Sequence, residues 1–332
     1  MYSRLLPTLT VLAALLAGAC TGPVAMMTAE EKPTAKAAPA EAGRDWPMYG
    51  GTPSRNMVNT VARGIPTDWG NKKGGKNVKW VADLGDRGYL PPAVAGGKVY
   101  IPTNNHKPRD PKVKGDKAVL MCFDEATGEF LWQIVHDMPP AEIVTDQAKA
   151  EGLLSTPVVE GDRLYYVTPA AEVICADASN KGAILWRRDL MKDYKVYPHY
   201  VTFCSPLVVG DLVFVGTGNG RAGDDPDKPV PEPKAPSFVA INKKDGKVVW
   251  HDNSPGDKIM EGAWASPLYA NVNGQGQVIF PGGDGWLYAF EAKNEKKLIW
   301  KFDCNPKGSE FRKDSRGTAS YLMTPAVHDS HL

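Results

Sequence analysis

The chain reads as all-β, a β-propeller of four-stranded antiparallel blades. Three observations carry that reading. A pattern of four short apolar runs separated by turns recurs four times, in the same order each time, starting at Pro91, Thr156, Ser205 and Ser266. Each recurrence closes on a tryptophan, and Trp80, Trp132, Trp186, Trp250 and Trp300 follow one another at about 50 to 65 positions, near the period of a propeller blade. Glycine and proline number 33 and 28 of 332 residues and fall at regular offsets, which builds turns rather than disorder.

From the N-terminus, residues 1–19 read as an export signal. Met1–Arg4 is short and basic, and Leu5–Ala17 is an apolar run of signal-peptide length, too short to span a bilayer. Small residues at Ala17 and Ala19 suit cleavage after Ala19. Gly18-Ala19-Cys20 also resembles the cleavage box of bacterial lipoproteins, with Ala17 where that box usually has Leu. That resemblance implies that Cys20 becomes the lipidated first residue. Residues 20–44 are rich in Ala, Pro, Glu, Lys and Thr; with little to bury, they form a flexible tether.

The propeller is expected over 45–332. Residues 77–84, Asn-Val-Lys-Trp-Val-Ala-Asp-Leu, match only the end of a repeat; compare Ala183–Leu190. An outer strand without its predecessors is what a closing seam requires, because it leaves no sheet edge unpaired. The first full repeat runs through Ala93-Val94, Val99-Tyr100-Ile101 and Leu120–Asp124 to Trp132. The second runs through Val158-Val159, Leu164–Val167 and Val173–Asp177 to Trp186. The third runs through Leu207-Val208, Val213–Val215 and Phe238–Asn242 to Trp250. The fourth runs through Val278–Phe280 and Trp286–Phe290 to Trp300. Met323–Val327 then opens a fifth repeat whose later strands are absent before Leu332. The expectation is an incomplete sequence whose partial repeats at both ends leave the ring unclosed.

The Pro that opens each innermost strand stands where a missing N–H is tolerated. The closing Trp side chains are expected between neighbouring blades, where a large ring buries most. With strands named A to D outward from the axis, the A–B turns (Gly96-Gly97, Gly161-Asp162, Gly210-Asp211) and the C–D turns (Thr127-Gly128, Asp245-Gly246) are short. The long insertions, 104–117, 139–153, 191–201, 217–236, 251–263 and 305–322, all leave the other face. Elaborated loops on a rigid scaffold mark the binding face. Pro139–Gly152 is expected to hold a short helix begun by Pro-Pro-Ala-Glu and stopped by Gly152. The residues chosen for binding, by loop position, are Tyr197, His199, Arg221 and Trp264.

Lys plus Arg (39) nearly balances Asp plus Glu (38), so no net field favours nucleic acid. The chain has five cysteines and no CxxC pair, so a zinc ribbon or c-type haem attachment has no support. Cys122 and Cys175 occupy matching C strands as small buried hydrophobes. An exported protein can oxidise a pair among Cys122, Cys175, Cys204 and Cys304, and spacing does not choose one. The six histidines form no HExxH or close ligand cluster. Asp224, Asp225 and Asp227 lack the Gly and Glu positions of a calcium loop and read as a solvated turn. Gly216-x-Gly-x-Gly220 is followed by acids and prolines, not by the helix of a dinucleotide loop.

Phe123-Asp124-Glu125-Ala126-Thr127-Gly128 with Trp132, and Ala240-Ile241-Asn242 with Asp245-Gly246 and Trp250, resemble the repeat motif of pyrroloquinoline quinone (PQQ) propellers. Ala289-Phe290-Glu291 with Trp300 is similar to it, and Asp45–Gly51 resembles the opening of quinoprotein dehydrogenases. The resemblance implies one of two functions. One is that of BamB-like lipoproteins, non-catalytic scaffolds of outer-membrane barrel assembly. The other is that of dehydrogenases that oxidise alcohols or sugars with PQQ and calcium. The latter need a cation held by carboxylates and amides and an Asp base, which no recognisable motif supplies here, and the vicinal Cys-Cys pair of many alcohol-oxidising members is absent. The favoured expectation is a lipid-anchored scaffold of the bacterial periplasm or outer membrane that binds envelope proteins or peptides.

Overall fold

The structure is a computed structural model describing residues 45–223, 225, 228–308, 323–329 and 331–332. The export signal, Cys20, the tether to residue 44, Asp224 and Asp227 lie outside the described residues. Among the described residues sixteen strands form four separate sheets of four. They are β1–β4 (Ala93–Ala95, Lys98–Asn104, Lys117–Asp124, Phe130–Asp137) and β5–β8 (Val158–Glu160, Arg163–Val167, Glu172–Asp177, Ala183–Asp189). β9–β12 (Leu207–Val209, Leu212–Gly216, Phe238–Asn242, Val248–Asp252) and β13–β16 (Leu268–Val272, Gln275–Pro281, Trp286–Glu291, Leu298–Asp303) follow. Every sheet is an antiparallel meander in chain order, as all-β blades of a propeller require. No sheet closes on another among the described residues.

Turn chemistry sets these hairpins. Gly96 and Gly97 both have positive φ, +59° and +73°, between the paired Ala95 and Lys98. That is a two-residue turn whose twist matches the flanking strands. Asn273 and Gly274, at +52° and +81°, do the same in the fourth sheet. The outer pair of each sheet then shifts register at an equivalent place, leaving Leu131, Leu185, Val249 and Ile299 without a direct partner. The bulge re-aims the next residue, which is the closing Trp in all four sheets. Its partner across the ladder is a small residue: Cys122, Cys175, Ala240 and Ala289 face Trp132, Trp186, Trp250 and Trp300. All four cysteines in the described part are free thiols.

The core lies between blades. Tyr100, Leu120, Cys122 and Trp132 pack against Leu164, Tyr166 and Ile174 of the second blade. Tyr165, Val173 and Cys175 pack against Val213, Val215 and Val239 of the third. Phe214, Phe238 and Trp250 meet Phe280, Tyr288 and Phe290 of the fourth. Alternate residues of one strand serve opposite flanks: Leu120 and Cys122 face the second blade, while Val119, Met121 and Phe123 face Ala82 and Leu84. A strand buried on both faces reads as an unbroken apolar run.

The indoles lie on turns of the next blade. Trp186 Nε1 donates to Lys243 O at 3.1 Å and Trp250 Nε1 to Lys293 O at 3.0 Å. Trp80 Nε1 donates to Glu125 O at 2.9 Å. The turn glycines leave room for them: a Cβ on Gly128 would sit 2.5 Å from Trp80, on Gly182 2.8 Å from Trp132, and on Gly246 2.7 Å from Trp186. Trp300 differs, because no further blade follows among the described residues. Its Nε1 donates to Gln277 Oε1 of its own sheet at 2.8 Å. Residues 78–84 form no strand. Among the described residues no strand pairs with them, yet Trp80 occupies a closing Trp's place.

A second set of inter-blade bonds runs round the inner ends. Thr156 N–H donates to Ser205 Oγ, Ser205 N–H to Ser266 Oγ, and Ser266 N–H to Thr324 Oγ1, each at 3.0 Å. These are the residues before the strand-opening prolines. The segment from Trp46 to Arg55 fills the axis. Trp46 exchanges both backbone bonds with Val94, Pro47 O accepts from Val159 N–H, Pro53 O from Tyr269 N–H, and Ser54 O from Val327 N–H. The Arg55 guanidinium is buried and donates to the carbonyls of Tyr49, Ser205, Pro206 and Pro267 at 2.7–3.1 Å. Burial lowers its pKa to about 10. Four carbonyl acceptors arranged for a planar fork keep it charged at neutral pH.

Two short helices decorate the loop face. α1 (Asp146–Lys149) starts later than Pro-Pro-Ala-Glu suggests, because the Thr145 side chain caps it by accepting from Ala148 N–H. α2 (Leu190–Tyr194) is capped by Asp189 and ends on Lys195 at φ +58°. None of the helices in the described part is long and apolar enough to cross a membrane.

Candidate functional site

Three of the long loops converge on the elaborated face. Residues 197–201, 217–221 and 260–264 are stitched edge to edge: Pro198 bridges Asn219, Gly220 bridges Gly262, and Arg221 N–H donates to Glu261 O at 2.7 Å. Only glycine fits at 220, where a Cβ would meet Glu261 O and His199. His199 sits at the centre of this layer, 1% exposed. Its Nδ1 lies 2.7 Å from Arg221 O. A carbonyl only accepts, so Nδ1 carries the proton. The imidazole packs against Tyr200 and Trp264 with ring centroids 4.3 and 5.2 Å away, and Phe203 lies 5.5 Å beyond on Trp264. Tyr200 is held at φ +62°, a conformation that bulky side chains adopt only under constraint.

Beside this aromatic group lies a half-open cavity of about 390 Å³, within the size range of small-molecule sites. One wall is Tyr200, Phe203 and Trp264; the other is the α1 segment, with Thr145, Gln147 and Glu151. Burial raises the Glu151 carboxyl above its ordinary range, and the nearby Arg87 charge partly offsets this.

Of the four residues chosen from sequence, Trp264 lines the cavity and His199 stands behind it. Arg221 is buried and reaches His199 through its carbonyl. Tyr197 is half-buried and receives its place from Asn219, whose Oδ1 accepts its N–H at 2.9 Å; it is not in the wall. Glu151 and Phe203 were not singled out, whereas Tyr200 belongs to the aromatic stretch Tyr197-Pro198-His199-Tyr200 that the sequence places on a long loop. Tyr200 adjoins the selected His199, and Phe203 closes the same loop, whereas no local pattern marks Glu151.

Several other titratable groups are tied into the fold. Burial pushes the thiols of Cys122 and Cys204 up to about 12 and that of Cys175 to about 11, so none is a thiolate nucleophile at neutral pH. Burial also raises Asp284, whose carboxylate accepts from Tyr288 OH at 2.6 Å. His106 is clamped between Asp86 and Asp116 at 3.1 Å each, and these hydrogen bonds raise its pKa. Among the described residues no three of His, Cys, Asp or Glu come together to hold a cation. A fully buried guanidinium occupies the axis, where the PQQ resemblance calls for a cation-bearing pocket. The residues described do not fit PQQ with calcium.

Solved structures similar to this chain include quinohemoprotein alcohol dehydrogenase from Comamonas testosteroni, at 15% identity and a TM-score of 0.44 over 78% of this chain and 49% of that one. A europium-containing methanol dehydrogenase matches at 15% identity and 0.41, over 77% and 57%. BamB from Moraxella catarrhalis matches at 14% identity and 0.33, over 68% and 64%. The chain thus spans about half to two thirds of the length of these proteins. No curated protein matches it. The family described as "Outer membrane protein assembly factor BamB" matches residues 116–301, more than half of the chain, and the chain belongs to that family.

Proposed function

We propose that the protein is an exported, lipid-anchored binding scaffold of the bacterial cell envelope, and that its long-loop face engages a protein partner. The observation that carries this reading is the convergence of the 139–153, 197–203 and 260–264 segments on one aromatic-walled cavity, in a chain of the BamB family. The short-turn face carries hairpin tips and, between residues 209–212 and 291–295, a cavity of about 460 Å³ with no aromatic ring among the described residues of its wall. The anchor is Cys20 and residues 20–44 are its tether. The contact is tested with a photo-crosslinking amino acid at Tyr200 and, as control, at Asn180 in an exposed hairpin turn of the opposite face, in intact cells. The reading expects a defined adduct from position 200 only. Equal adducts from both, or none from either, would contradict it. Cys20→Ser is expected to move the protein from the membrane to the soluble periplasmic fraction; unchanged fractionation would remove the anchor.

A further inference from the structure

The cavity beside α1 has an unusual chemical balance. Its aromatic wall offers three ring faces, Tyr200, Phe203 and Trp264, and the opposite wall contributes one carboxylate, Glu151. Among the described residues, Glu151 is the only charged side chain lining it, and none of them places a Lys, Arg or His in the wall. The rings are not adaptable. His199 is wedged against two of them and is itself fixed through Nδ1 to the Arg221 carbonyl. Ring faces carry negative potential and a carboxylate adds to it. An anion has no donor cluster to meet it. A purely aliphatic guest would cover a carboxylate already half-withdrawn from water, which is unfavourable. An organic cation satisfies both walls, placing its charge towards Glu151 and its carbon-bound surface on the rings.

We propose that this cavity is a recognition pocket for an organic cation, an alkylammonium or guanidinium group, caged by Tyr200, Phe203 and Trp264 and neutralised by Glu151. Within the scaffold reading, on which only the source of the cation depends, the group is a lysine or arginine side chain of the partner. A free amine of the envelope presents the same chemistry. Arg87, which already interacts with Glu151, is largely exposed and is the internal competitor. Its removal is expected to tighten binding.

The test uses the full chain labelled with 5-fluorotryptophan. The Trp264 resonance is assigned from Trp264→Phe and followed by 19F NMR during titration with acetyl-lysinamide, acetyl-argininamide, acetyl-norleucinamide and choline. At least one cationic amide is expected to shift that resonance saturably and to bind about tenfold or more tighter than the neutral norleucine isostere. Glu151→Gln is expected to weaken the cation by a similar factor while leaving norleucinamide and the melting temperature unchanged, and Arg87→Ala to strengthen it. Norleucinamide binding as tightly as the cations, or no saturable shift with any probe, would overturn the proposal. Choline binding without either amide would support the cage and assign it to a free cation. Cation binding without a position-200 crosslink would leave the cage standing and remove the protein partner.

Discussion

Ser205→Ala probes the inner belt of hydroxyls with the smallest possible change. Ser205 is buried, and its Oγ accepts the N–H of Thr156, itself fully buried, at 3.0 Å. The backbone of Ser205 keeps its other duties in the variant: its N–H still donates to Ser266 Oγ and its carbonyl still accepts from Arg55. The substitution therefore orphans one buried donor and creates a void too small for a replacement water. Leaving such a donor unsatisfied costs about 1–3 kcal/mol. At about 2 °C per kcal/mol for a domain of this size, the melting temperature falls by about 2–6 °C. The control is Ser179→Ala, whose hydroxyl bonds only Asp177 in an exposed turn and which is expected to stay within about 0.5 kcal/mol of the parent. Scanning calorimetry of both variants decides. If Ser205→Ala melts with Ser179→Ala, the belt does not hold adjacent blades together.

Three further outcomes follow from the packing. Trp250→Ala empties a buried junction between Phe214, Phe280 and Phe290 and is expected to destabilise by about 3–5 kcal/mol in denaturant titration; a shift under about 1 kcal/mol would place the indole outside the core. Gly246→Ala and Gly97→Ala share the penalty of a left-handed residue, about 1–2 kcal/mol, but only the Gly246 Cβ meets an indole, Trp186, so it must cost clearly more; equal losses would deny the contact. His136 is buried, with Nε2 2.8 Å from Tyr166 OH. Burial, helped by Arg187 and opposed by Asp137, lowers its pKa from 6.5 to about 4. Above 6.5 it is neutral in both states and has no effect. As pH falls from 6.5 to 4 only the unfolded chain takes the proton, so stability drops, by about 3 kcal/mol in total as an upper figure. His136→Phe is expected to flatten that part of the pH profile, and an unchanged slope would refute the assignment.

The repeat was legible because each blade restates the same local chemistry: Pro at the inner start, Gly in the turns, an apolar run buried on both flanks, and Trp at the close. Two of its joints were not. The dipeptides Thr156-Pro157, Ser205-Pro206 and Ser266-Pro267 were visible, but a hydroxyl's direction depends on where the next blade lies. The bulge before each Trp was hidden too, since an extra residue in a strand looks like an ordinary apolar one. Residues 78–84 show the reverse: a strand-like sequence without a partner keeps its indole contact and forms no ladder. Loop length pointed to the face that carries the aromatic-walled cavity, and to Trp264 and His199. It missed Glu151 and Phe203, because the cavity wall is assembled from loops far apart in sequence, and their convergence is set by the rotation from blade to blade.

Hydroxyls tie the blades at the axis and indoles tie them at the rim, so that the loop face rides on one cooperative scaffold. Native-state amide hydrogen exchange at Thr156, Ser205 and Ser266 tests this most directly. These amides are expected to exchange only through global unfolding, with the full stability of the domain and together with the central strands. Exchange at these three positions as fast as in the open Gly96-Gly97 turn would contradict it.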